Sequence, residues 1–557
     1  MKVESVNAVS LSTHARLDSR YFLAPGIKAA ELVKQAKERG IPTVPLGGEK
    51  GIAKIWKPSG FRKVEASPRE DKIGYLRPYD VFEYLPRAAD FVSVKRAGRT
   101  EAARLRRGML VQTCSGRNLG PAVFVDDYLA QFVIGSDMIR IVIDDPDLRA
   151  YALGYLQSDT GQQLLTQGKT GSVIDHLSID HVAGIEIPLF EHDVRAAITQ
   201  KMSEAIRLRE EARLTLDAAV TQYQQSLPKA KRTKPEKKGW TVRANQLARR
   251  LDAASHDPFV ASVRKRLASQ GGSTVGDLAT VLKPSGRPRS IDVDKDHGRP
   301  VLSGAQLLQV RPINLGYMPL RVYKTPEDYV VRKGWIAYQA DGRAEDALGE
   351  PVVVTSDRDG WLASEHVGRI IKKSGVDGGW LYLAVRSWPA QVQIKSLACG
   401  SLVDKSYPWD MESVILPPRD SVDGQSVQGA WEKFALAQRA EDEAKFLIEQ
   451  SLRGGDSDPL HQKVKELADT WRRNTRHLSS IERKVSHPAY QTIIALGRPA
   501  VPFVLQELKE HGGHWFSALH FMTGVEPTKE GDNVEDSRTA WLAWGRRNGL
   551  LPPDEQV

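Results

Sequence analysis

The sequence predicts an α+β chain: two tandem α/β domains separated by long antiparallel coiled-coil helices, plus a small all-α C-terminal domain. Three observations predict it. Short strings recur in order at a nearly constant offset, a long amphipathic stretch follows each copy, and the composition changes beyond residue 457. At 557 residues the chain is about three times the usual domain length, enough for several separate cores.

The repeat sets the boundaries. Lys57-Pro58-Ser59-Gly60 returns as Lys283-Pro284-Ser285-Gly286, 226 positions on (283 − 57 = 226). Tyr75-Leu76 pairs with Val301-Leu302 and Gly108-Met109-Leu110 with Gly334-Trp335-Ile336 at the same offset. Gly116-Arg117 and Gly342-Arg343 then follow a short apolar run in each copy, as a strand entering a turn does. Further on the offset drifts to 229: FVIGSDMIRI (132–141) is similar to WLASEHVGRI (361–370), and Gly171-Ser172 matches Gly400-Ser401. Upstream, Arg16-Leu17-Asp18 matches Arg250-Leu251-Asp252. Asp18 and Asp252 are expected to cap a helix or turn. The copies therefore span 1–190 and 241–420. Small loop insertions account for the drift.

Residues 191–227 carry no Pro or Gly. Val194, Ile198, Met202 and Ile206, then Ala212, Leu216, Ala219 and Tyr223, form one apolar stripe, which predicts a helix. At about 1.5 Å per residue it would extend roughly 50 Å. A second helix over about 425–452, within a 421–456 segment, carries Val427, Trp431, Phe434, Ala437, Ala444, Leu447 and Ile448. Two solitary amphipathic helices should pair, here antiparallel, holding the domains a fixed distance apart. The basic linker 228–240 is either solvated or in contact with phosphates. Residues 457–557 read as a separate module with a HEAT-like helix, Gly-Arg-Pro break and helix. Its expected core is Trp515, Phe516, Leu519, Trp541, Leu542 and Trp544.

Lys plus Arg total 79 against 69 Asp plus Glu, a formal charge of +10, which biases the chain toward anionic partners. Two cysteines, Cys114 and Cys399, make neither a disulfide framework nor a zinc site and fit a reducing cytoplasm. No secretory leader and no membrane-length apolar run is legible, so a soluble cytoplasmic protein without a membrane partner is expected. No phosphate-binding loop, methyl-donor glycine turn or flipped-base Pro-Pro-Tyr string is present. Glu482-Arg483-Lys484 lacks a paired acid and reads as helix surface, and the thirteen histidines do not cluster with ligand spacing. No catalytic residues, cofactor or metal are therefore expected, and any chemistry is assigned to a partner.

Residues 1 to about 452 resemble the specificity (S) subunit of type I restriction-modification systems. RLDSRYFLAP and RLDAASHDPF are similar to its domain-opening motif, and RRGMLVQTCSG and RKGWIAYQADG to its central Gly-bounded strand. GSVIDHLSIDHVAGIEIPL and GSLVDKSYPWDMESVILPP are similar to its closing segment. The resemblance implies that each copy is a DNA target-recognition domain for half of an interrupted double-stranded site, with the helices setting the spacer. It further implies DNA methyltransferase (M) subunits docked on the long helices, and a motor-nuclease (R) subunit that joins them. The module beyond 457 departs from that pattern and points toward a related phage-defence complex. The alternative reading is a self-contained defence effector or nuclease whose C-terminal module acts on bound DNA.

Base reading needs donors and acceptors on rigid loops, and phosphate binding needs cations, hydroxyls and backbone amides. Lys57, Ser59, Arg62 and Lys63, and Lys283, Ser285, Arg287 and Arg289, surround the two Pro-Ser-Gly turns and are the first candidate DNA-binding group. Arg117 with Asn118, and Arg343, are candidate base readers, since Arg suits guanine and Asn adenine. Lys169, Thr170 and Ser172, with Lys395, Ser401 and Lys405, form a third group suited to phosphates.

Overall fold

The computed structural model describes residues 25–551 apart from 61, 89, 99, 117–118, 168–174, 231–238, 248–249, 285, 287–290, 292, 294–297, 324, 345–346, 401–402, 420–422, 455–458, 479 and 529–530. Arg16-Leu17-Asp18 and most of the basic linker thus lie outside the described residues. The fold mixes helices with small sheets.

The first unit opens with α1 (Pro25–Glu38), whose Ala29, Val33 and Ala36 share a buried face. The strands β1 (Thr43–Pro45), β2 (Lys54–Trp56), β3 (Lys72–Leu76), β4 (Asp90–Ser93), β5 (Leu110–Thr113), β6 (Ser115–Gly116), β7 (Val123–Phe124), β8 (Val133–Ile134) and β9 (Met138–Val142) follow. Then come α2 (Pro146–Gln157), α3 (Asp159–Gln167), β10 (Asp175–His176) and β11 (Glu186–Pro188). The main sheet has the order β2-β9-β5-β7 and a smaller one β4-β3-β8. Strand β5 is buried along its whole length, and the Gln112 amide it carries donates to the carbonyls of Thr113 (3.1 Å) and Gly120 (2.8 Å). That satisfies a donor which would otherwise be costly to bury. Asp145 caps α2 and Pro146 occupies its first turn, so the helix starts where the chain leaves β9.

The second unit repeats this plan. After α5 (Pro258–Ser269) it has β12 (Ala279–Leu282), β13 (Arg299–Leu302), β14 (Gly316–Met318), β15 (Ile336–Gln339), β16 (Asp341–Gly342), β17 (Pro351–Val353), β18 (Leu362–Ala363) and β19 (Val367–Lys372). Helices α6 (Gly378–Arg386) and α7 (Trp388–Leu397) and strand β20 (Asp404–Lys405) complete it. Its sheets run β12-β19-β15-β17 and β14-β13-β18. The one parallel pairing in each smaller sheet joins Tyr75 and Leu76 to Val133 and Ile134, and Val301 and Leu302 to Leu362 and Ala363. The turn before each central strand depends on glycine. Gly108 (φ 88°) and Gly334 (φ 81°) are left-handed, and their amides donate to Val125 (3.0 Å) and Val354 (2.8 Å).

Two long helices, α4 (His192–Ser226) and α8 (Gly424–Arg453), lie side by side. Lys201 to Glu443 (2.5 Å), Arg209 to Glu441 (3.1 Å) and Lys433 to Glu211 (2.8 Å) show that they run antiparallel. Their private seam is short, made by Ala205, Leu208, Ala437 and Ala440. Most of the apolar stripe is used elsewhere. Ile198, Met202, Ala444, Ile448 and Leu452 enter the core of the first unit. Ala212, Leu216, Val220, Tyr223, Val427, Ala430, Trp431 and Phe434 enter that of the second. Each unit is therefore anchored on both helices, at opposite ends of the pair.

The C-terminal module comprises α9 (Pro459–Thr475), α10 (Ile481–Val485), α11 (Pro488–Ala495), α12 (Val501–His511), α13 (Phe516–Thr523) and α14 (Val534–Arg547). Trp515, Leu519, Trp541, Leu542 and Trp544 are in its core, with Phe516 packed against it. Trp515 stacks on Tyr490 with centroids 5.3 Å apart, and the Tyr490 hydroxyl donates to the His514 carbonyl (2.8 Å). Among the described residues no helix is long and apolar enough to cross a membrane.

Candidate nucleic-acid interface

A two-residue antiparallel pairing closes the same corner of each unit. In the first, β6 meets β10 with Gly116 opposite Asp175; in the second, β16 meets β20 with Asp341 opposite Lys405. This pairing ties the loop leaving the central strand to the segment that closes the unit. The residue just after the first strand of the main sheet completes the corner. Lys283 forms an ion pair with Asp341, and Lys57 lies beside Cys114, whose thiol burial raises and Lys57 lowers. The three candidate groups, distant in sequence, therefore have their described flanks together in both units.

Within these corners the side chains differ in availability. Lys57, Ser59, Arg62, Arg343 and Lys405 are exposed. Lys63 is engaged: it forms an ion pair with Asp90, holding that carboxyl below its usual range, and lies 4.8 Å from the Tyr75 ring centroid. Lys283 is also engaged, with its side chain 10 % exposed and that of Asp341 6 %. The other Asp341 oxygen lies 2.6 Å from His366 Nδ1. A cation neutralised in this way fixes the corner rather than offering charge to a phosphate. Lys395 is half-buried in the last turn of α7. Arg117, Asn118, Lys169, Thr170, Ser172, Ser285, Arg287, Arg289 and Ser401 lie outside the described residues.

Sequence reasoning missed two features of the second corner. Trp409 is 63 % exposed yet stacked flat on Tyr407, which Lys283 approaches to 5.7 Å. His366 stands between Asp341 and Glu365, its Nε2 3.3 Å from the latter. The signal was the Tyr-Pro-Trp string in the closing segment, which has Ser178 and Asp180 at the matching places 229 earlier. The corners thus share a backbone plan and differ in the groups they display.

Behind each corner a buried arginine holds the turn into the last strand of the main sheet. Arg140 donates to the carbonyls of Met138 (3.0 Å) and Ile134 (3.4 Å), and Arg369 to those of Tyr329 (2.7 Å) and Ala363 (3.4 Å). Burial lowers both guanidinium pKa values to about 10. Among the described residues no group of three or more His, Cys, Asp or Glu side chains is placed to hold a metal ion.

No family model matches the chain, and no curated protein matches it. Solved structures do. The type I restriction-modification S subunit from M. genitalium is 14% identical, with 72% of this chain and 92% of that one covered, at a TM-score of 0.25. The HsdS subunit from Thermoanaerobacter tengcongensis is 11% identical, with 72% and 97% covered, at 0.23. A structure concerning complex assembly and conformational transition of the type I restriction-modification system is 15% identical, with 72% and 99% covered, also at 0.23. Over 72% of its length, the chain is similar to S subunits of type I restriction-modification systems.

Proposed function

We propose that the chain is the DNA-specificity subunit of a type I restriction-modification or related phage-defence complex. It reads a bipartite, interrupted site and positions partner enzymes that carry out the chemistry. The observation that carries this reading is the duplicated corner. One backbone plan, bearing exposed Lys57 and Arg62 in the first unit and Arg343 and Lys405 in the second, occurs twice on a single helix pair. Two readers held on one rigid body suit two half-sites about one helical turn, roughly 34–36 Å, apart on a duplex. The differences between the corners, with Tyr407, Trp409 and His366 in only one, suit half-sites of different sequence.

In this reading 1–190 and 241–420 are the recognition domains, each contributing cations to phosphates and polar side chains to base edges. Helices α4 and α8 carry methyltransferase subunits on their outward faces, and a motor-nuclease subunit joins that assembly in the cytoplasm. The chain itself is not an enzyme.

The test is co-purification of the tagged chain with its genomic neighbours, then selection from random duplex DNA and sequencing. An enriched motif interrupted by a fixed spacer, obtained only with a methyltransferase bound, is the expected result. Binding that fades uniformly with salt and enriches no motif would overturn it. Metal-dependent cleavage by the chain alone would instead assign the chemistry to residues 457–557.

A further inference from the structure

The two units touch each other directly, beside the helix pair, through a junction built of buried charge. The chain around Gln309 pairs with the chain around Glu83: the Tyr84 amide donates to the Leu308 carbonyl (2.9 Å) and the Val310 amide to that of Phe82 (2.7 Å). Arg311 of the second unit then reaches into the first, where its guanidinium donates to Gln157 Oε1 (2.6 Å). The same guanidinium forms an ion pair with Glu441 of α8. Glu441 is fully buried and also receives Arg209 of α4 (3.1 Å) and Lys445 (3.5 Å).

Two further arginines close the junction. Arg213 of α4 pairs with Asp126 of the first unit (2.7 Å) and donates to the carbonyls of Tyr84 (3.1 Å) and Glu83 (3.0 Å). Arg358 of the second unit lies 4.9 Å from the Tyr84 ring centroid and donates to the Val310 carbonyl (3.1 Å). One carboxylate, Glu441, thus gathers both long helices and the second unit, while Arg311 adds the first.

Such a network is directional. An apolar interface tolerates sliding by an ångström or a few degrees, whereas buried ions left unpaired cost several kcal/mol, so only one relative placement of the units satisfies them all. On a duplex, one base pair of spacer corresponds to about 3.4 Å of rise and, at about 10–10.5 base pairs per turn, roughly 34–36° of rotation. A helix pair anchored at its ends resists the translation; a contact between the units resists the rotation.

We infer that the Arg311–Glu441 junction fixes the spacer length of the bipartite site, making Arg311, Gln157 and Glu441 determinants of spacing rather than of half-site sequence. This rests on the specificity-subunit reading above. The experiment uses the full chain with its methyltransferase and duplexes carrying the selected half-sites with spacers from two base pairs shorter to two longer. The combined substitution Arg209→Met, Arg311→Met and Glu441→Leu removes the buried charge cluster as a whole, a replacement that folded proteins tolerate, and leaves Lys445 its pair with Asp442. Gln157→Ala is a milder variant that removes the Arg311 hydrogen bond into the first unit, along with the Gln157 amide's bond to the Ala122 carbonyl (2.7 Å), and keeps the test decisive if the combined variant does not fold.

Wild type should prefer one spacer over its neighbours by about tenfold or more, the order of discrimination lost when one base pair of a site is wrong. In the variants the preference should fall to about threefold or less, with half-site sequence preference unchanged. A folded variant that keeps the full wild-type spacer preference overturns the inference and leaves the specificity-subunit reading intact. A wild-type complex that selects no interrupted motif overturns both.

Discussion

The indole of Trp409 lies parallel to the ring of Tyr407, with centroids 4.6 Å apart and planes 5° from coplanar. A large apolar group this exposed is backed by a second ring and presented to solvent in the same closing segment as exposed Lys405, an arrangement suited to contact with a base edge or sugar. Trp409→Ala should weaken binding of the second half-site about five- to tenfold, as expected for loss of roughly 1–1.5 kcal/mol of aromatic contact. The melting temperature should barely move. Fluorescence anisotropy with a duplex altered only in that half-site checks the first statement and thermal denaturation the second, and equal loss on a duplex lacking the half-site would contradict the first.

Arg343 and Lys405 are exposed, whereas Lys283 is committed to Asp341. Arg343→Gln and Lys405→Gln should each reduce the slope of log affinity against log salt by about 1, the signature of one lost phosphate contact. Lys283→Gln should leave the slope unchanged and lower stability instead, because it strands a buried carboxylate. Salt titration of binding and urea denaturation separate the two classes.

Arg213 and Asp126 are both almost fully buried and 2.7 Å apart. Asp126→Asn removes one charge and leaves the other uncompensated, so it should cost about 3–5 kcal/mol. Adding Arg213→Met to that variant should recover part of the loss, the positive coupling that a double-mutant cycle in urea would measure.

Arg96 grips Glu70 with two hydrogen bonds, 2.9 Å and 2.6 Å, and the Ser67 amide adds a third at 3.0 Å. Together they hold the Glu70 carboxyl down at about 2, against an ordinary 4.5. Because the folded value lies below the unfolded one, the stabilisation is complete above about 4.5 and disappears as pH falls through about 2. Carboxyl titration by NMR should show Glu70 returning toward its ordinary value in Arg96→Gln.

The duplicated plan was legible because it is written locally. The Lys-Pro-Ser-Gly turns and the glycines before each central strand recur as strings, and the strands recur with them. The use of the Lys283 charge was not legible, because Asp341 lies 58 residues away and the first copy has Ser115 in that place. Periodicity marked the apolar stripe of α4 but could not say what covers it. Ile198 and Leu216 belong to one stripe yet enter different cores. The Arg311 junction left no trace in the repeat because it joins the copies to each other instead of recurring within them.

The antiparallel helix pair also sets the order in which the molecule can be completed. Ile448 and Leu452 belong to the first unit's core, and Glu449 accepts from both the amide and the hydroxyl of Thr160 (2.7 Å and 2.9 Å). About 250 residues separate Met202 from Ile448, roughly 10–50 s of synthesis at about 5–20 residues per second. Until then the nascent first unit has an open flank. A chain terminated before Leu452 therefore cannot yield a finished first unit, and a ribosome must pass the last turn of α8 before that unit is sealed.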